Sequence, residues 1–165
     1  MYKIGKLLFL LAMLYCSYQL IFTPEHWIML DFANIIIHET GHLLFMLFPQ
    51  FVYILGGSFF QIFVPCFALG YFILTHQKLA TIFSLFWIGN NIINVAVYIK
   101  DSQAMRLPMF LGMNGIHDWN WLLTQMNLLE YDWLIGNMVF GCGIIFLLIS
   151  ICWLVIASLQ GLIKN

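Results

Sequence analysis

Apolar residues run along this chain in long blocks separated by short polar breaks. Five blocks, residues 4–22, 27–48, 51–74, 79–99 and 133–159, each come close to the roughly 20 residues a helix needs to cross hydrocarbon. The breaks are Thr23-Pro24, Pro49, and the polar triplet His76-Gln77-Lys78. This pattern predicts an all-α polytopic membrane bundle of about five transmembrane helices. The one long non-spanning stretch, residues 100–132, has its own period: Trp119, Leu122, Leu123, Met126 and Leu129 recur at helical spacing, with Asn120, Thr124, Asn127 and Glu130 between them. It predicts an interfacial amphipathic helix over residues 118–130, lying in the interface or against the bundle.

Composition agrees with the pattern. Of 165 residues 63% are apolar and 8% charged, far below the quarter usual in soluble domains, so residues 1–165 read as a single integral membrane domain in the lipid bilayer. Six Lys/Arg and a net charge of −1 leave no basic surface to track a phosphate backbone, which excludes nucleic-acid binding. Lys3 and Lys6 precede the first block as in a signal peptide, but no small-x-small cleavage signal stands near Pro24, so the block reads as a retained span. Tyr15 before Cys16 argues against an acylated cysteine. Cys66, Cys142 and Cys152 lie within spans as small buried hydrophobes. Five alternating spans would put the N-terminus, the 49–51 turn and the 100–132 segment on one side, with Lys3, Lys6, Lys100 and Arg106 facing Lys78 and Lys164 on the other. The positive-inside rule then predicts that this first side is cytoplasmic. Nothing in the sequence sets an oligomeric state.

The few polar residues inside the blocks carry the chemistry. His38-Glu39-Thr40-Gly41-His42 in the second block fits the HExxH pattern, which this composition would produce by chance only about 0.003 times. Positions i and i+4 put both imidazoles on one helix face, where they can hold one Zn²⁺, and Glu39 lies beside them to act on a water. A charged group at mid-bilayer costs at least about 2.5 kcal/mol on insertion scales, which weighs against a purely structural role. A third ligand is still needed. His42 and His38 lie about 9 and 15 Å from the end of their span at 1.5 Å per residue, so it should come from the same side. Two candidates stand there, Asp101 and His117, with Asp118 beside the latter as a helix N-cap or an orienting partner. Asn90, Asn94, Tyr98 and Asp101 share a helix face, and Asn90 or Asn94 could bind an oxyanion or an unwound substrate. Gly56-Gly57-Ser58 and Gln61 admit either close helix packing or an exposed backbone edge for an extended substrate.

HETGH in an early span, followed by the Asn-containing span Asn94 to Asp101, resembles the site-2 protease family of intramembrane zinc metallopeptidases. Together with GGSFFQ and HDWNWL, the motifs are similar to a small group of bacterial membrane proteins related to those peptidases. The resemblance implies a zinc-dependent endopeptidase of a bacterial cytoplasmic membrane, with its active site toward the cytoplasmic side. Its catalytic residue would be Glu39 and its substrate a membrane segment of another protein. The competing expectation is a non-proteolytic metal-binding membrane protein acting as a regulatory or partner-binding subunit. A di-iron desaturase is opposed by arithmetic: such sites typically need about eight histidines, and the chain has five.

Overall fold

The computed structural model describes residues 2–107 and 117–163. Every regular element among the described residues is helical: α1 (Tyr2–Phe22), α2 (Met29–Phe45), α3 (Gln50–Leu74), α4 (Lys78–Lys100), α5 (Asp118–Gln125), a 3-10 turn at Leu129–Tyr131, and α6 (Asp132–Ile163). Four stretches are long and apolar enough to cross a membrane: Ile4–Phe22, Gln50–Leu74, Lys78–Lys100 and Leu129–Leu159. These correspond to α1, α3, α4 and α6. The second apolar block is different. Its helix has 17 residues, about 25 Å at 1.5 Å per residue, and carries Asp31, Asn34, His38, Glu39 and His42. Ile28 just before it is extended.

α2 and α3 form a tight antiparallel hairpin around residues 46–49. Gly41 faces the carbonyl of Gly56, and Phe45 covers Gly56 so closely that a Cβ there would lie 2.7 Å from its ring. α4 returns alongside α3, and α6 packs against α4 where Gly89 and Ala96 meet Gly143 and Gly136. Small residues at such crossings let backbones approach, the usual basis of helix association in lipid.

α1 runs in the same direction as α4. Phe9 packs on Phe83 at a ring separation of 6.3 Å. Seven residues further along each helix, Cys16 is within electrostatic reach of Asp31, and Asp31 is bonded to Asn90. α2 also runs parallel to α4, because the antiparallel α3 separates them in the chain. Three helices therefore point toward the end of the bundle that carries α5, called here the site end. Residues 23–28 turn back there and lead into the start of α2 at the depth of Asn90.

α5 is shorter than the 118–130 helix its periodicity predicts. Asn127 adopts a left-handed φ of 56°, while Leu128 and Asn127 donate to the carbonyls of Leu123 and Thr124. That pair of bonds is a Schellman stop. Leu122 and Leu123 are 1% exposed, so this helix is docked against the bundle. Trp119 fastens it to α3 by donating to Ser58 Oγ at 3.0 Å.

Candidate metal centre

His38 and His42 occupy successive turns of α2, and their rings meet edge to face with centroids 4.8 Å apart. The α2–α3 hairpin sets their rotamers from behind. His42 Nδ1 donates to the Tyr53 carbonyl at 3.0 Å, and His38 Nδ1 lies 3.0 Å from Gln61 Oε1. Since a carbonyl oxygen only accepts, these contacts place the ring protons on Nδ1 and turn the bare Nε2 atoms inward. The two Nε2 atoms are 3.1 Å apart. Gly57 lies directly against them: a Cβ at this position would come within 2.5 Å of His42 Nε2 and 2.6 Å of His38 Nε2.

The third group is Asp118, the first residue of α5. Its Oδ2 lies 3.0 Å from His38 Nε2 and 3.1 Å from His42 Nε2. Three acceptor atoms thus point at one another, an arrangement that needs a cation between them, either a proton or a metal ion. Burial raises the Asp118 carboxyl, and hydrogen bonding to His38 and His42 more than offsets it, so the group stays below the usual carboxylate range.

The two residues expected to compete for the third place are elsewhere and paired with each other. His117 Nε2 lies 3.5 Å from Asp101 Oδ2. Asp101 accepts from the backbone N–H groups of Arg106 and Leu107 at 2.9 and 2.8 Å. His117, rather than Asp118, is the N-cap of α5, its Nδ1 accepting from Asn120 N–H at 3.2 Å. Burial pushes its imidazole down despite the neighbouring carboxylate. The adjacent order His117-Asp118 gave no indication of which side chain turns inward.

Asn90 and Asn94 are also committed. Their side-chain amides donate to Asp31 Oδ1 at 3.0 and 2.6 Å, while Asp31 Oδ2 accepts from the Ile28 N–H at 2.8 Å. Asn34 bonds to Asn90 Oδ1 at 2.6 Å and accepts from Trp87 Nε1 at 2.8 Å. Both amides are thus directed at Asp31 rather than at the histidines, while Asn94 also lines the cleft onto which the histidines open. Asp31, a buried carboxylate on α2, was missed in the sequence although it lies seven residues before His38. Gly56 and Gly57 sit inside the continuous helix α3. There Gly56 packs against Phe45 and Gly57 against the two imidazoles.

Between α2 and α4 lies a cleft of about 170 Å³ whose walls include Glu39, His38, His42, Asp118, Tyr98 and Asp31. Pro24, Glu25 and Trp27 of the returning segment also line it. Among the described residues no hydrogen bond engages the Glu39 carboxylate, which leaves it available to a molecule in the cleft. The site therefore combines a cation-demanding triad with an unengaged carboxylate one residue from a triad histidine. Comparison with family models, with curated proteins and with solved structures gives no match.

Proposed function

We propose that this chain is an intramembrane zinc endopeptidase in which His38, His42 and Asp118 hold the ion and Glu39 moves the protons. One observation carries the reading: two imidazole nitrogens with their own N–H groups turned outward face a carboxylate oxygen at 3.0 and 3.1 Å. Zinc suits that triangle, because Zn–N and Zn–O lengths near 2.0–2.1 Å about a tetrahedral centre put ligand atoms roughly 3.3 Å apart. Three protein ligands leave one position open, as a catalytic rather than a structural zinc requires. Bound zinc supplies Lewis acidity toward water and a peptide carbonyl.

The chain's own groups divide the remaining work. Glu39 takes a proton from the attacking water and returns it to the departing amide nitrogen. Gln61 and the Tyr53 carbonyl hold the Nδ1 protons and thereby keep both imidazoles neutral and oriented. Ile35, Val95, Val97 and Leu107 give the cleft apolar walls suited to a membrane segment of another protein. α2 and α4 are joined beside the cleft by the Asp31–Asn90 and Asp31–Asn94 side-chain bonds rather than by close backbone packing, and the space between them is the entry route.

We read α1, α3, α4 and α6 as the four full spans and α2 as a polar helix reaching from mid-depth to the site end. This changes the charge tally. Lys3, Lys6 and Lys78 belong to the end opposite the site, with Lys164 following α6 in the sequence but outside the described residues; Lys100 and Arg106 belong to the site end. The positive-inside rule then turns the site away from the cytoplasm, the reverse of the orientation expected from five alternating spans.

The decisive experiment loads purified protein with zinc and offers it a panel of transmembrane-segment substrates. The parent should cleave, Glu39→Gln should keep its zinc and lose at least about 100-fold in rate, and Asp118→Asn should lose zinc. A Glu39→Gln protein that cuts as fast as the parent removes the endopeptidase reading and leaves a metal-binding, non-catalytic membrane protein.

A further inference from the structure

The end of α4 and the start of α5 form a second constellation, which meets the cleft through Tyr98 and Asp118. His117 is 4% exposed. Its ring packs on Tyr98 with centroids 4.3 Å apart, its Nδ1 caps α5, and its Nε2 lies 3.5 Å from Asp101 Oδ2. The Nε2 atom has no hydrogen-bond partner among the described residues, so the Asp101 carboxylate is its compensation for burial. Asp101 is itself fixed by two backbone N–H groups. The Tyr98 hydroxyl accepts the backbone N–H of Asp118 at 3.1 Å, and Asn120 Nδ2 donates to the Ser102 carbonyl at 2.8 Å. The contacts made by His117, Tyr98 and Asn120 act on the first turn of α5, and the Asp118 side chain leaves that turn toward the histidines.

We propose that Tyr98, Asp101 and His117 are positioning residues that set metal affinity by fixing where the Asp118 carboxylate is presented. This rests on the reading of His38, His42 and Asp118 as metal ligands. The physical basis is the difference in rigidity between the two halves of the site. The histidines are one turn apart on a single helix and are held by α3, so their separation is set locally. Asp118 reaches them from a different segment, so its placement depends on whatever anchors α5. An N-cap, a charge contact and a hydroxyl acceptor from the end of α4 supply three such anchors. Outer-shell partners of this kind typically change metal affinity 10- to 100-fold when removed.

The test is zinc titration of purified parent and variants against a competing chromophoric chelator, with helix content followed by circular dichroism. His117→Ala, Asp101→Asn and Tyr98→Phe should each bind one zinc per chain with about 10- to 100-fold lower affinity. His117→Asn retains an acceptor suited to an N-cap and should recover part of the loss. Tyr98→Phe removes a single hydroxyl, so it still gives a clear result if the other variants fold poorly. With cobalt in place of zinc, the visible spectrum should change in these variants, a signature that loss of general stability would not produce. Parent-like affinity in Tyr98→Phe and in a folded His117→Ala overturns the positioning role while leaving the ligand assignment intact. A parent that binds no zinc overturns both.

Discussion

At the scale of single residues, the most telling position is one with no side chain. Gly57 contributes no donor, yet any Cβ there would overlap the space in front of both Nε2 atoms. Gly57→Ala must therefore push one or both imidazoles off their rotamers, at about 0.5–1.5 kcal/mol each, or roughly tenfold in zinc affinity. Isothermal titration of Gly57→Ala beside Gly70→Ala checks this, since a Cβ at Gly70 meets nothing within 4 Å. Equal affinities for the two variants would remove Gly57 from the site. His38, Glu39 and His42 were legible in the sequence because the i, i+4 spacing alone brings the imidazoles together. The carboxylate at Asp118 was not, because the sequence does not say which of two neighbouring residues caps a helix and which points inward. Asp101 has the right charge and lies on the right side, but two backbone N–H groups in its own turn claim it.

At the scale of elements, α2 owes its unusual position to its first turn. A carboxylate deep in an apolar bundle has to be surrounded by donors, and Asp31 gathers Asn90, Asn94 and the Ile28 N–H. Asp31→Ala leaves those donors buried without an acceptor, which costs about 1–3 kcal/mol and loosens the start of the helix that carries the histidines. Unfolding in mixed micelles should show this as a lower midpoint than for the parent, whereas Glu25→Ala, at an exposed position, should leave the midpoint unchanged. An unaltered midpoint in Asp31→Ala would show that the network does not anchor α2. The asparagine stripe on α4 was visible as a polar face. Its partner was not, because helical periodicity describes one helix at a time and the match with Asp31 exists only between two.

At the scale of the whole molecule, hydropathy predicted about five spans where four helices are long and apolar enough to cross a membrane, and it had no means of reading direction. The second apolar block looks like a crossing by length, and it is the pairing of Phe9 with Phe83, together with Cys16 near the Asp31–Asn90 bond, that shows α1 and α4 to be parallel. The two topologies differ in where the chain ends lie. With four spans a fluorescent protein fused to either terminus should fold in the cytoplasm and fluoresce, whereas five spans would silence the C-terminal fusion alone. Fluorescence from only one fusion would restore the alternating arrangement and with it a cytoplasmic site. The three groups of the candidate centre come from segments 76 and 80 residues apart in the chain. An ion held there would consequently act as a staple across the fold. By mass action, free zinc at a hundred times its dissociation constant would stabilise the closed arrangement by about 2.7 kcal/mol, making the persistence of the protein a readout of the metal supply around it.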